Sequence, residues 1–187
     1  MTDRPGGGAD RWAGQGAGRW VLLSYRLPRE PSTPRIAVWR KLERLGVARL
    51  GDGLVALPAD ARTREQLDWL AEEIGEAGGT ATVWLATPAS TGQERAIAQA
   101  MQAARAAEYQ AVAAQAHAVT GDGAVAERAR IARRLRGELR RIARRDFFPP
   151  AEREAAQAAV QALATDPAGA GRPAPVALED HSVRRTS

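Results

Sequence analysis

Apolar residues in this chain change their spacing from segment to segment, and the changes mark out the elements. Trp20–Tyr25 (WVLLSY) is a short apolar run of strand length. Thr33-Pro34 then supplies an N-cap with proline at the first helical position, and Gly46 stands where a C-cap belongs. Between them Val38, Leu42 and Leu45 share one helix face. Val47–Leu50 and Leu54–Leu57 flank Gly51-Asp52-Gly53, a tight hairpin connection. A second helix is predicted from Thr63, with Gln66 completing a capping box and Leu67, Leu70 and Ile74 inward, before Gly78-Gly79. Thr80–Ala86 (TATVWLA) closes the unit as a strand rich in β-branched and aromatic residues.

The order β-α-β-β-α-β is the split βαβ, or ferredoxin-like, arrangement, with both helices on one face of a four-stranded antiparallel sheet. A sheet with one wet face alternates cleanly. Here Trp20–Tyr25 and Leu54–Leu57 are apolar on both faces, so the second face needs cover from the rest of the chain or from a partner subunit, a homodimer being one way to supply it. The remainder reads as helix. Ser90-x-x-Gln93 opens an Ala-rich helix to Val119 with Ile97, Met101, Ala104, Val112 and Val119 on one stripe. Gly121-Asp122-Gly123 turns the chain, Val125–Arg145 forms a second long helix, and Phe147-Phe148-Pro149-Pro150 ends it. A third helix runs from Pro150 to Ala164 with Ala156, Val160 and Leu163 inward. The expected class is α+β: a disordered tail over 1–18, a ferredoxin-like unit over 19–88, a helical hairpin and a further helix over 89–164 packed on or beside the sheet, and a disordered tail over 165–187.

Cysteine is absent, which removes disulfides, thiol nucleophiles and Cys-ligated zinc. No apolar run approaches the ~20 residues needed to span a bilayer, and Met1–Gly18 has no signal-peptide core, so a cytoplasmic protein without membrane contact is expected. No cofactor or metal motif stands out. Gly14, Gly16 and Gly18 open a strand rather than a helix, His117 stands alone in an Ala-rich stretch, and His181 lies in the tail.

Charge is informative through its distribution. The net charge is +5, Lys41 is the only lysine, and 124–145 holds nine arginines against Glu127 and Glu138. At 100° per residue Ile131, Leu135, Leu139 and Ile142 form one stripe, and Arg130, Arg133, Arg134, Arg136, Arg140, Arg141, Arg144 and Arg145 fall on the complementary arc. Arg128 alone lies on the apolar side. Such a helix packs by one face and presents guanidinium forks, which suit phosphate and other oxyanions, by the other. These eight arginines are the candidate contacts to an anionic partner; the bland alternative is a solvated face in an arginine-rich composition. A second basic group (Arg26, Arg29, Arg35, Arg40, Lys41, Arg44) surrounds the start of the first helix, where free N–H groups favour anions. Arg26, Arg29 and Arg35 are the candidate oxyanion ligands.

Glu108 falls on the apolar stripe of its helix, which calls for an ion pair with an arginine of the next helix, such as Arg128 or Arg136, rather than a catalytic role. Trp69, among Glu65, Glu72, Glu73 and Glu76, is expected to pack on a neighbouring element or subunit. No catalytic residue is assigned.

The segments Arg19–Pro58, Arg64–Ala86 and Glu138–Ala156, with the run Tyr25-Arg26-Leu27-Pro28-x-x-Pro31-Ser32 followed by Val38-Trp39-Arg40, resemble the N-terminal domain of the ChrB chromate-resistance regulator family. That resemblance implies cytoplasmic control of a chromate-efflux operon, with DNA binding and a response to chromate. Longer members of the family continue into a second domain, so this chain is expected to act as a split subunit or as a DNA-binding or accessory module. The opening unit is also similar to that of the phenylacetate-operon repressor and of small CRISPR-associated adaptation proteins. Nucleases of that wider group use an aspartate at the end of the first strand, where Ser24, Tyr25 and Arg26 stand here. The leading expectation is a non-enzymatic, chromate-linked regulator or regulatory subunit that binds DNA through the arginine helix. A protein-interaction or scaffold module is second, and a nuclease or chromate reductase third.

Overall fold

In the computed structural model, residues 18–119 and 125–165 are described. The Gly121-Asp122-Gly123 turn, both predicted tails, Gly14, Gly16 and His181 fall outside them, apart from Gly18 and Thr165. The element order is β1 (Trp20–Arg26), α1 (Ser32–Leu45), β2 (Ala48–Gly51), β3 (Leu54–Pro58), α2 (Ala61–Glu76), β4 (Thr80–Ala86), α3 (Thr91–His117), α4 (Val125–Ala143) and α5 (Glu152–Ala164). The four strands form one sheet in the order β2-β3-β1-β4 with antiparallel neighbours throughout. The class is α+β, and the opening β-α-β-β-α-β order is that of a split βαβ unit.

Strand register sorts the core by face, since directly opposed residues point the same way. Val21 opposes Leu57 and Leu85, and Leu23 opposes Val55 and Val83, which puts these residues on the face toward α1 and α2. Val38 and Leu42 of α1 and Leu67, Leu70 and Ile74 of α2 join them in one buried cluster. On the other face lie Trp20, Leu22, Ala48, Ala56 and Trp84. Met101 and Ile97 of α3, with Phe147 and Phe148 of the turn after α4, extend the same cluster there, and the Trp20 and Phe148 rings stand 6.0 Å apart. The rest of the chain thus supplies most of the cover that the doubly apolar strands demand. A second core, built from Tyr109, Val112 and Ala116 of α3, Leu135 and Ile142 of α4, and Ala156 and Val160 of α5, holds the three helices together.

Two helix starts differ from the sequence pattern. α1 begins at Ser32 with Pro31 in the cap position, so Thr33 lies inside the helix and caps nothing. α2 begins at Ala61, two residues before Thr63, because Asp60 is its N-cap. The Thr63 amide donates to Asp60 Oδ1 (2.6 Å), the Asp60 amide donates to Thr63 Oγ1 (3.0 Å), and the Thr63 hydroxyl donates to the Pro58 carbonyl (2.7 Å). Thr63 is therefore the N3 partner of a capping box rather than its N-cap, and these bonds account for a hydroxyl buried at 1% exposure. α3 starts as expected, with Ser90 Oγ accepting from the Gln93 amide (3.2 Å). In the hairpin, Gly53 has φ +71°, and a Cβ there would lie 2.2 Å from the Tyr25 carbonyl oxygen, so no side chain fits.

Candidate nucleic-acid interface

α4 is positioned by its apolar stripe. Ala132, Leu135 and Ile142 are buried, and Ile131 and Leu139 pack against the same cluster as partly buried neighbours. Consequently Arg130, Arg133, Arg134, Arg136, Arg140 and Arg141 stand exposed, with Arg144 just past the helix end, where its amide still donates to the Arg140 carbonyl (3.3 Å). Arg133, Arg136, Arg140 and Arg144 follow one line of the outer face, a run of about 16 Å at the rise of an α-helix. Among the described residues none of these four, nor Arg141, has an acidic partner.

The structure separates three predicted contacts from that set. Arg130 donates twice to the Glu127 carboxylate (2.9 and 2.8 Å), hydrogen bonds that hold the exposed Glu127 carboxyl below its usual range. Arg134 reaches Gln115 Oε1 of α3 (3.1 Å). Arg145 turns inward: its side chain is 22% exposed and its guanidinium meets Glu108 at 2.5 Å. Glu108 also meets Arg105 of its own helix at 2.9 Å. The expected ion pair at Glu108 is thus present, but with Arg145 and Arg105 in place of Arg128 or Arg136. The chain bends at Arg145 into the DFFPP turn, which takes this residue off the helical arc on which the others lie. The i, i+3 spacing of Arg105 and Glu108 was the available signal for the nearer partner.

The clamp sits at a junction. A Cβ at Gly46, the left-handed C-cap of α1, would approach Arg105 Nη1 to 2.7 Å and Arg145 Cβ to 2.9 Å. The two guanidinium-bearing side chains therefore lie directly against the end of α1. A cleft of about 570 Å³ opens beside it, lined among others by Leu42, Val47, Ile97, Met101, Arg49 and Arg105.

One residue past Arg145, the Tyr109 hydroxyl donates to Asp146 Oδ2 (3.0 Å), and Arg153 of α5 stands 3.7 Å from the same oxygen. Burial, then the bond to Asp146, pushes the Tyr109 phenol up to about 12, so it remains a donor. Burial raises the Asp146 carboxyl above its ordinary value, opposed by the hydrogen bond from Tyr109 and the charge of Arg153. No local pattern announces this network, because its members come from α3, the turn after α4, and α5. Its linkage sign is testable. A carboxyl whose folded value exceeds its unfolded one contributes more stability as pH falls through the folded value. The destabilisation caused by Asp146→Asn, measured by urea unfolding, is therefore expected to be larger near about pH 4 than at pH 7. An equal cost at both would show that the carboxyl is not displaced.

The candidate oxyanion ligands are not brought together into a cleft. Arg26, Arg29 and Arg35 are exposed, and Arg35 Nη1 donates to the Arg29 carbonyl (3.4 Å). Of the wider basic group, Lys41 is ion-paired to Glu73 of α2. Trp69 is 61% exposed rather than packed on a neighbouring element.

A family described as "Protein ChrB, N-terminal" matches residues 35–123. The chain is 33% identical over 133 residues to Protein ChrB of Cupriavidus metallidurans, an alignment that covers 70% of this chain and 40% of that protein. No solved structure matches. No helix among the described residues is long and apolar enough to cross a membrane.

Proposed function

Since residues 35–123 belong to the ChrB N-terminal family, we propose that this chain is a non-enzymatic regulator or regulatory subunit of chromate resistance that holds DNA by the outer face of α4. The observation that carries the reading is the line Arg133, Arg136, Arg140 and, just past the helix end, Arg144, exposed and without acidic partners among the described residues, along a helix whose other side is locked into a core. Like charges lined along one helix face repel one another, and a phosphate backbone offsets that repulsion. Phosphate contacts of this kind position a protein on a duplex and carry no sequence information. The non-enzymatic part rests on the end of β1, where Ser24, Tyr25 and Arg26 offer no carboxylate to hold a metal.

The response to chromate belongs to the same proposal and has its basis in the family resemblance. A titration of the chain against duplex DNA from its own upstream region, with and without chromate, tests both parts. The expected result is saturable binding, with a dissociation constant of about 10⁻⁶ M or tighter at about 0.1 M salt, weakened when chromate is present. Absence of binding at low salt would contradict the DNA-binding reading. It would favour a protein-interaction module, for which exposed Trp69 is the specific observation.

A further inference from the structure

The sheet has two edges, and they are unlike. β2 is four residues long, carries Arg49, and breaks register between Arg49 and Gly51. Shortness, charge and a bulge are the devices that keep an edge strand from pairing with another chain. β4 has none of them. Its seven residues contain no charge, no proline and no glycine, and it pairs with β1 in unbroken register from Thr80 to Ala86. No described strand lies on its other side. Trp84 is 56% exposed and Leu85 48% exposed, and as neighbours along a strand they point to opposite faces. α2 packs on one face of β4 yet leaves Leu85 half exposed, and Trp84 stays more than half exposed on the other face.

The strand is also its own complement. Laid antiparallel on a second copy about Val83, Ala81 opposes the partner's Leu85 and Thr82 opposes the partner's Trp84. A small residue meets a large one on each face, and no charge meets another. The helix above the edge agrees. Glu73, paired with Lys41, marks the flank of α2 that faces α1. At 100° per residue the opposite flank, toward β4, carries Arg64, Asp68, Ala71 and Gly75. Arg64 and Asp68 balance each other at 3.6 Å, and a Cβ at Gly75 would meet nothing within 4 Å. That flank has no net charge, and its later turns carry the small residues Ala71 and Gly75, so a second α2 can approach it without a net-charge penalty.

We propose that β4 is a dimerisation edge, through which two copies pair antiparallel about a two-fold axis at Val83 and join their four-stranded sheets into one continuous sheet. The pairing satisfies the free backbone groups of β4 and covers Trp84 and Leu85 together. It does not rest on DNA binding by α4.

Sedimentation of the full chain tests it. The wild type is expected to be dimeric. Trp84→Lys and Leu85→Lys place like charges across the axis and should each weaken association at least about 100-fold, with the circular dichroism spectrum unchanged because both positions are exposed. Trp69→Ala, away from the edge, should leave the dimer intact. Because the chain has no cysteine, Val83→Cys supplies a single thiol at the axis, where opposed residues are close enough to bridge. Mild oxidation should cross-link Val83→Cys and leave Trp39→Cys uncross-linked, which decides the question even if the lysine variants fold poorly. A monomer at every concentration, a dimer indifferent to both lysines, or one cross-linked through position 39 and not 83 would overturn the proposal.

Discussion

Replacing Glu108 by alanine should lower the unfolding free energy by about 2–4 kcal/mol, because two partly buried guanidiniums lose their shared counter-charge at once. The side chains of Arg105 and Arg145 are 13% and 22% exposed, and Glu108 meets them at 2.9 and 2.5 Å. The Nε atoms of both arginines are buried without a hydrogen-bond partner, so neither guanidinium has a second acceptor at that atom to fall back on. The pair is not wholly enclosed, since Glu108 is 30% exposed, and the range stands below the ~3–5 kcal/mol typical of a fully buried pair for that reason. Glu108→Gln keeps the shape and an acceptor but not the charge, and should retain only a minor part of the lost stability. Urea unfolding measures both. A cost under about 0.5 kcal/mol for the alanine variant would mean that water screens the clamp and that the Gly46 junction is held by packing alone.

Leu135→Ala should cost about 2–5 kcal/mol, the range for deleting a buried leucine side chain and leaving a cavity. Leu135 has 0% exposure and sits among Tyr109, Val112, Ala156 and Val160, so three helices border the space it would vacate. The contrast with its neighbours is sharp. Arg136 and Arg140, one and five residues on, are exposed, and alanine at either should change stability by no more than about 0.5 kcal/mol. Equal costs at Leu135 and Arg140 in thermal or urea unfolding would show that α4 does not present the stated face to solvent.

Much of this architecture is legible in the sequence where a local rule and a packing demand coincide. Thr80–Ala86 is a strand in both readings because β-branched residues and glycines bound it on one side, and Gly46 caps α1 because only a left-handed residue lets the chain turn there. The apolar stripe of α4 was visible because four aliphatic residues stand against arginines, and the exposed line Arg133–Arg144 follows from it. The double apolar character of β1 and β3 correctly demanded cover on the second sheet face. It could not say that Phe147 and Phe148, about 90 residues beyond β3 and more than 120 beyond β1, would provide part of it. The failures have one cause: choices among chemically equal candidates are settled by tertiary position. Thr63 is a plausible cap by type, yet Asp60 takes the role because the hydroxyl of Thr63 is held by the Pro58 carbonyl. Nine arginines look alike along 124–145, yet Arg145 folds inward because the chain turns at its position.

The central claim is that the outer face of α4 binds phosphates, and the salt dependence of duplex binding tests it most directly. Each neutralised phosphate releases condensed counterions, giving a log–log slope of about −0.9 per contact. Four contacts, from Arg133, Arg136, Arg140 and Arg144, predict a slope of about −3.6, and the Arg140→Ala, Arg144→Ala double variant should flatten it by about two units with folding unchanged. A double variant that binds duplex DNA with the wild-type slope would contradict the account and remove α4 as the contacting element.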